Sequence, residues 1–216
     1  MEYEKKPVPK HRHISRAELK AILETPMLDP LQELGRRAFL FSTFTGLSYS
    51  DVKNLTNDNL QTFFDGNLWI ITRRKKTNTE SNIRLLDVPR RIIEKYKGMT
   101  KDNKVFPMPS NTTCNKKLKT IAKLCGIKAH LTYHVARHSA ATTILLSNGV
   151  PIETVSRLLG HTNIKTTQIY AKITAQKISQ DMDNSLKNWE IWRKAFVGRY
   201  ENYRPSVACF LARPLS

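Results

Sequence analysis

The chain has 216 residues, with 36 Lys and Arg against 18 Asp and Glu, a formal net charge of +18 and a pI near 10.0. An excess this large implies a polyanionic partner, nucleic acid ahead of an anionic membrane surface, and 40 % hydrophobic with 25 % charged residues excludes a disordered basic tail. No apolar run approaches the roughly 18 to 20 residues of a membrane span, and the charged N-terminus MEYEKKPVPKHRH excludes a signal peptide, so a soluble intracellular protein of one or two domains is expected.

Residues 1–13, with Pro7, Pro9, three Lys and one Arg, read as a linker remnant. Ser15 followed by Glu18 is a capping box that predicts a helix to about Glu24, stopped at Thr25-Pro26. Asp29 and Pro30 open a second helix through LQELGRRAFLFSTF, whose stripe of Leu31, Leu34, Ala38, Phe41 and Thr45 leaves Arg36 and Arg37 at its edges. Thr45-Gly46-Leu47-Ser48 breaks that helix, and Ser50 is placed to cap a short one over DVKNL.

The period then changes. Leu60, Thr62 and Phe64 precede Asp65-Gly66, and Leu68, Ile70 and Thr72 follow it, which predicts a hairpin. A polar turn at Lys76 to Thr79 leads to a third strand around Asn82 to Asp87. Beyond Pro89 helices are expected over Arg90 to Lys97, Asn111 to Cys125, Tyr133 to Ser147, Ile152 to Leu159, Lys165 to Ala171, and Ala175 to about Trp189. The fold class is therefore mainly α with a small three-stranded antiparallel sheet. Residues 14–185 form the expected domain, and 186–216, aromatic and then Pro-rich, form a tail that is either poorly ordered or docks on another molecule.

Cys114, Cys125 and Cys209 are odd in number, widely spaced and lack zinc-ligand spacing with His, so neither a disulfide framework nor a structural metal is expected. The cations cluster instead. Ten Lys and Arg from Arg73 to Lys101 face Glu80, Asp87 and Glu94, a local +7. Arg73, Arg74, Lys75, Arg84 and Lys165 are the candidates for contacts along a DNA backbone.

Leu131 to Ile173 is the densest segment. His134 and Arg137 share a helix face beside a stripe of Ala140, Ala141, Ile144 and Leu145. Gly160-His161 ends the next helix, and Tyr170 follows nine residues later. Residues 152–171 also outline a helix-turn-helix, the pattern of a non-catalytic DNA-binding regulator.

His-x-x-Arg, then about two dozen residues to Leu-Gly-His, then nine to a Tyr resembles the catalytic box of the tyrosine recombinase (phage-type integrase) family. Thr45-Gly46-Leu47 with Ser50 to Leu55 resembles the family's other box, and the resemblance runs from about Ser15 to Ile178. It implies the catalytic-domain fold of that family, with Tyr170 as the nucleophile forming a 3′-phosphotyrosyl bond and releasing a 5′-hydroxyl. It places His134, Arg137 and His161 in the second box and Lys76, with Lys75 as the alternative, as general acid. The residue types suit the chemistry: a guanidinium fork for phosphate oxygens, an imidazole to take a phenolic proton, an ammonium for the leaving oxygen. No cofactor or metal is implied. The partners implied are double-stranded DNA, a homo-tetramer formed on it and an accessory DNA-bending protein, in a bacterial, nucleoid-associated cytoplasmic setting. A type IB topoisomerase shares the tyrosine ester and stays open, as does the regulator.

One position departs from the family pattern. The first box reads Thr-Gly-Leu-Ser, with Ser48 where an Arg is expected, as in the resembling integrases of conjugative transposons. Loss of such a donor costs on the order of 3 to 4 kcal/mol, or about 100-fold to 1,000-fold in rate. Arg36 is the first candidate to replace it and Arg74 the second.

Overall fold

A computed structural model of the chain describes residues 13–75, 78–100, 102–170 and 182–183. The chain divides into a unit Met1–Lys172 and a unit Ile173–Ser216. The second is described at 182–183 alone, so the helix expected over Ala175 to Trp189 and the tail 186–216 lie outside the described residues, Met182 and Asp183 excepted. The first unit holds the sheet and the core.

Helix α1 (Arg16–Glu24) carries the predicted capping box: Ser15 Oγ accepts from the Glu18 amide, and the Glu18 carboxylate accepts from the Ser15 amide. Ile14, fully buried, exchanges hydrogen bonds with Ser139 and Thr143, which pins the segment before α1 to the second half of the fold. Helix α2 (Pro30–Thr45) begins at the Asp29 cap and ends at Gly46 in the left-handed region, φ 72°. It packs against most of the later helices at once. Burial from Ala38 to Thr43 is therefore all-round and not confined to the predicted stripe, and Leu31 and Leu34 are only half-buried.

Helix α3 (Tyr49–Asn54) is capped by Ser48 and not by Ser50. The reason is visible in the spacing Ser48-x-x-Asp51, a capping box in which both reciprocal bonds form. Strands β1 (Leu60–Thr62), β2 (Leu68–Arg73) and β3 (Glu80–Arg84) form the antiparallel sheet β1-β2-β3. The first connection is wider than a two-residue turn. The Phe63 amide donates to Asn67, Gly66 sits at φ 71°, and Phe64 is out of the strand and exposed. Strand β3 ends at Arg84, before the expected Asp87, because Leu86 and Asp87 begin α4 (Asp87–Tyr96). Pro89 fits within the first turn, where its missing N–H has no helical partner to lose.

Helix α5 (Asn111–Leu124) starts at the Ser110 cap. The helix expected over Tyr133 to Ser147 changes geometry twice: α6 (Tyr133–Ser139) gives way to a π-helical stretch Ala140–Leu145 and a tight turn Leu146–Asn148. Side-chain hydroxyls of Thr142, Ser139 and Ser147 bond back to helix carbonyls along this stretch, offering those carbonyls alternative donors. Helices α7 (Ile152–Leu158) and α8 (Lys165–Gln168) close the unit. Helix α8 has one turn, shorter than predicted and too short to serve as a recognition helix. Val155 and Leu159 of the preceding segment are wholly buried against Ala141. The main core joins Phe39, Phe41, Leu47, Ile70, Phe106, Leu118, Ile121 and Leu131.

Candidate active site

Arg137 leaves α6 and bridges two turns. Its Nη1 donates to the Gly46 carbonyl at 2.7 Å and its Nη2 to the Leu159 carbonyl at 2.5 Å. A Cβ at Gly46 would lie 2.7 Å from Leu159 Cδ2, so the two turns approach this closely only because residue 46 is glycine. Ser81 Oγ donates to the Leu158 carbonyl at 2.7 Å and fastens the end of α7 to β3.

A second guanidinium arrives from the opposite side. Arg74, one residue past β2, is 6 % exposed and its Nη1 lies 3.1 Å from Asp51 Oδ2. That nitrogen is paired by charge but makes no aligned hydrogen bond among the described residues. Burial lowers the Arg74 pKa and the Asp51 charge opposes this; the group stays cationic. A Cβ on Gly160, which has φ 61°, would fall 2.5 Å from Arg74 Cγ, so glycine there leaves the channel that the arginine occupies. Asp51 also accepts from the Lys75 amide at 3.2 Å and, through Oδ2, from Ser48 Oγ at 2.6 Å. Arg137 and Arg74 are thus set against the consecutive residues Leu159 and Gly160, with the first-box turn on the other side of each.

His161 comes next in the chain. Its Nδ1 shares a 2.8 Å hydrogen bond with the hydroxyl of buried Thr167, and burial, then the Arg74 charge, lowers its pKa. The Tyr170 ring stacks 6.3 Å from His161 at 17° between planes and meets His138 edge-on at 4.8 Å. Burial raises the Tyr170 pKa, so its phenol is protonated at neutrality. His134, exposed on α6, shares a 2.6 Å Nε2 to Nε2 hydrogen bond with buried His138. An open pocket of about 430 Å³ beside these groups is lined by Ser48, Ser50, Asn115, His134 and Arg137 among others.

Of the residues singled out from sequence, Tyr170, His161, His134, Arg137, Arg74 and Ser48 are therefore brought into one region. Lys76 lies outside the described residues; the Lys75 side chain is exposed beside it. Arg36 is not brought there. Its Nη1 donates to the carbonyls of Ile22, Leu23 and Thr25 and its Nη2 pairs with Glu33 at 2.6 Å, closing the C-terminus of α1. It stands ten residues before Gly46, roughly 15 Å along α2, and the first-choice replacement for the missing arginine is corrected on that ground. Arg74, expected as a surface cation, is buried, whereas Arg73 and Lys165 are exposed. Arg84 pairs with Asp65 at the β1–β2 end of the sheet, the end away from the lysine turn. Sequence reasoning passed over Asp51, His138 and Thr167. The Ser-x-x-Asp box was a readable signal for the first and the i,i+4 spacing from His134 for the second; nothing local marks Thr167.

The phage integrase family matches residues 12–177, and the chain belongs to that family, the tyrosine recombinases. The tyrosine recombinase XerA of Thermococcus onnurineus (strain NA1) is 29 % identical over 185 residues, which cover 81 % of this chain and 62 % of that protein. Among solved structures, a XerA recombinase aligns with TM-score 0.64 at 21 % identity, covering 81 % of this chain and 65 % of that one. The Tn1549 transposon integrase in complex with transposon right-end DNA aligns with TM-score 0.61 at 17 % identity, covering 85 % and 68 %. At these identities the structures establish the fold. Among the described residues no helix is long and apolar enough to cross a membrane.

Proposed function

We propose that the chain is the strand-cleaving and rejoining part of a site-specific DNA recombinase or integrase of a mobile element, acting through a 3′-phosphotyrosyl intermediate at Tyr170. The observation that carries this reading is the convergence of two guanidiniums, Arg137 and Arg74, on the Leu159–His161 turn, against which the Tyr170 ring stacks. A phosphodiester entering there meets two cationic forks, as the charge developing on its non-bridging oxygens requires.

In the reaction the Tyr170 oxygen attacks phosphorus, its proton passing to His134, while the P–O5′ bond breaks and the 5′ oxygen takes a proton from Lys76 or Lys75. His161, neutral at physiological pH, donates a hydrogen bond to a phosphate oxygen, its Nδ1 accepting from Thr167. Arg74 supplies the cation that Ser48 lacks, its guanidinium held beside the first box by Asp51, which also accepts from Ser48 Oγ. Bond energy is conserved in the tyrosyl ester, and rejoining reverses the steps. Double-stranded DNA is the partner, and assembly on DNA as a homo-tetramer, with an accessory bending protein, in a bacterial nucleoid is part of this reading. So are the outer bounds: a linker at 1–13, the catalytic domain over 14–185, and a tail over 186–216 that is either poorly ordered or docks on a neighbour.

The test is incubation with a nicked suicide substrate in EDTA and denaturing electrophoresis. A covalent protein–DNA adduct is expected and is lost in Tyr170→Phe. An adduct that survives that substitution, or that needs added metal, refutes the reading. Supercoil relaxation without strand exchange would assign a type IB topoisomerase instead.

A further inference from the structure

The pair His134 and His138 sits one helical turn apart on α6 and is joined through Nε2 of both rings at 2.6 Å, with the rings nearly perpendicular at 4.1 Å. An imidazole Nε2 either carries a proton or accepts one, so a bond between two of them holds a single proton, and the ring that donates it fixes the role of the other. His138 is 2 % exposed and cannot trade this partner for solvent, whereas His134 lines the open pocket. The buried ring also touches Tyr170.

We infer that His138 is a positioning residue of the cleavage reaction, which through this bond sets the ring orientation and tautomer of His134. This rests on the reading of His134 as the base for Tyr170. With the shared proton on His134 Nε2, its Nδ1 is the acceptor. As Nδ1 takes the phenolic proton, the Nε2 proton passes to His138 Nε2, while the phenolic oxygen forms its bond to phosphorus and the 5′ oxygen departs with a proton from the lysine. The charge thereby ends on the buried ring that meets Tyr170 edge-on. A supporting partner that fixes the tautomer of a reacting histidine is a general device. Here the partner is itself a titratable ring. The ionisable groups leading away from the pair are Tyr170, which meets His138, then His161, which stacks on Tyr170, then Arg74, whose charge acts on His161, with Arg137 on α6 itself.

The experiment uses the full chain in two parts. In ¹⁵N-labelled protein a scalar coupling between the two Nε2 nuclei across the hydrogen bond is expected; its absence overturns the inference without any substitution. The second part is the pH–rate profile of single-turnover cleavage of the suicide substrate, in wild type and in His138→Gln. Gln keeps much of the volume, and thermal unfolding confirms the fold. The expected result is a cleavage rate lower by about 10-fold to 100-fold with unchanged half-saturation by DNA and a displaced acidic limb. An unmoved acidic limb means that His138 only fills space and overturns the inference. Failure of wild type to form any adduct refutes the functional reading instead, and the nitrogen coupling then still decides the pairing.

Discussion

Arg74 and Asp51 form an ion pair at 3.1 Å in which each side chain is only 7 % exposed, and it joins the sheet to the first-box turn. Two charges are withdrawn from water here, and each depends on the other. Asp51→Asn leaves an unpaired buried guanidinium and is expected to lower stability by about 3 to 5 kcal/mol. Denaturant titration reads that loss, and equal midpoints for variant and wild type would contradict the pair's role.

Removing the guanidinium itself separates binding from chemistry. Arg74→Gln is expected to reduce covalent adduct formation by about 100-fold to 1,000-fold with DNA affinity nearly unchanged. Ser48→Arg in that background, which restores the family's arginine, recovers part of the rate. It also removes the cap of α3, at about 0.5 to 2 kcal/mol. Gel-shift affinity and adduct yield on the same samples check both statements.

Arg36→Ala has the opposite signature. The lost donors to Ile22, Leu23 and Thr25 and the lost pairing to Glu33 lower stability by about 2 kcal/mol, whereas adduct formation per folded molecule is unchanged. A cleavage defect at full folding would return Arg36 to the site.

Gly160→Ala tests the channel. The added Cβ overlaps Arg74 Cγ and strains a residue at φ 61°, with a backbone cost of about 1 to 2 kcal/mol. Cleavage is expected to fall as in Arg74→Gln while far-ultraviolet circular dichroism stays that of wild type. Unimpaired cleavage would mean that the arginine has another route.

The acid side of the stability curve reports on His161. Its folded pKa is held below 6.5 by burial and by Arg74, whereas the unfolded chain binds the proton at about 6.5. The unfolded state therefore takes up more protons in acid. The contribution of the neutral ring is full above that value and is lost as pH falls through the window down to the folded pKa. Melting temperatures between about pH 5 and pH 8 are expected to fall less steeply on the acid side in His161→Gln. Parallel curves would refute the shift.

Much of this was legible in the chain. The capping box at Ser15, the Asp29 cap with Pro30 after it, the hairpin around Gly66 and the ordered positions of His134, Arg137, His161 and Tyr170 are local patterns, and local hydrogen bonding and side-chain periodicity dictate them. Family membership follows from those ordered positions together with the matched segment. Element ends were less legible, at β3 and α4 for example, because Leu85 and Leu86 suit a strand end or a helix approach equally well. For the absent arginine the sequence offered two candidates, Arg36 first and Arg74 second, and did not separate them. Arg36 and Arg74 are both near the boxes in sequence, and only packing separates them: α2 runs through the centre of the fold and directs Arg36 back onto the end of α1, whereas the sheet delivers Arg74 past a side-chain-free Gly160 to Asp51. Sequence determined most of the chemical groups, since His134, Arg137, His161 and Tyr170 are written in short motifs. The tertiary structure alone decided which cations share one site, because that depends on contacts across long separations in the chain, 91 residues between Arg137 and Gly46, that no local pattern encodes.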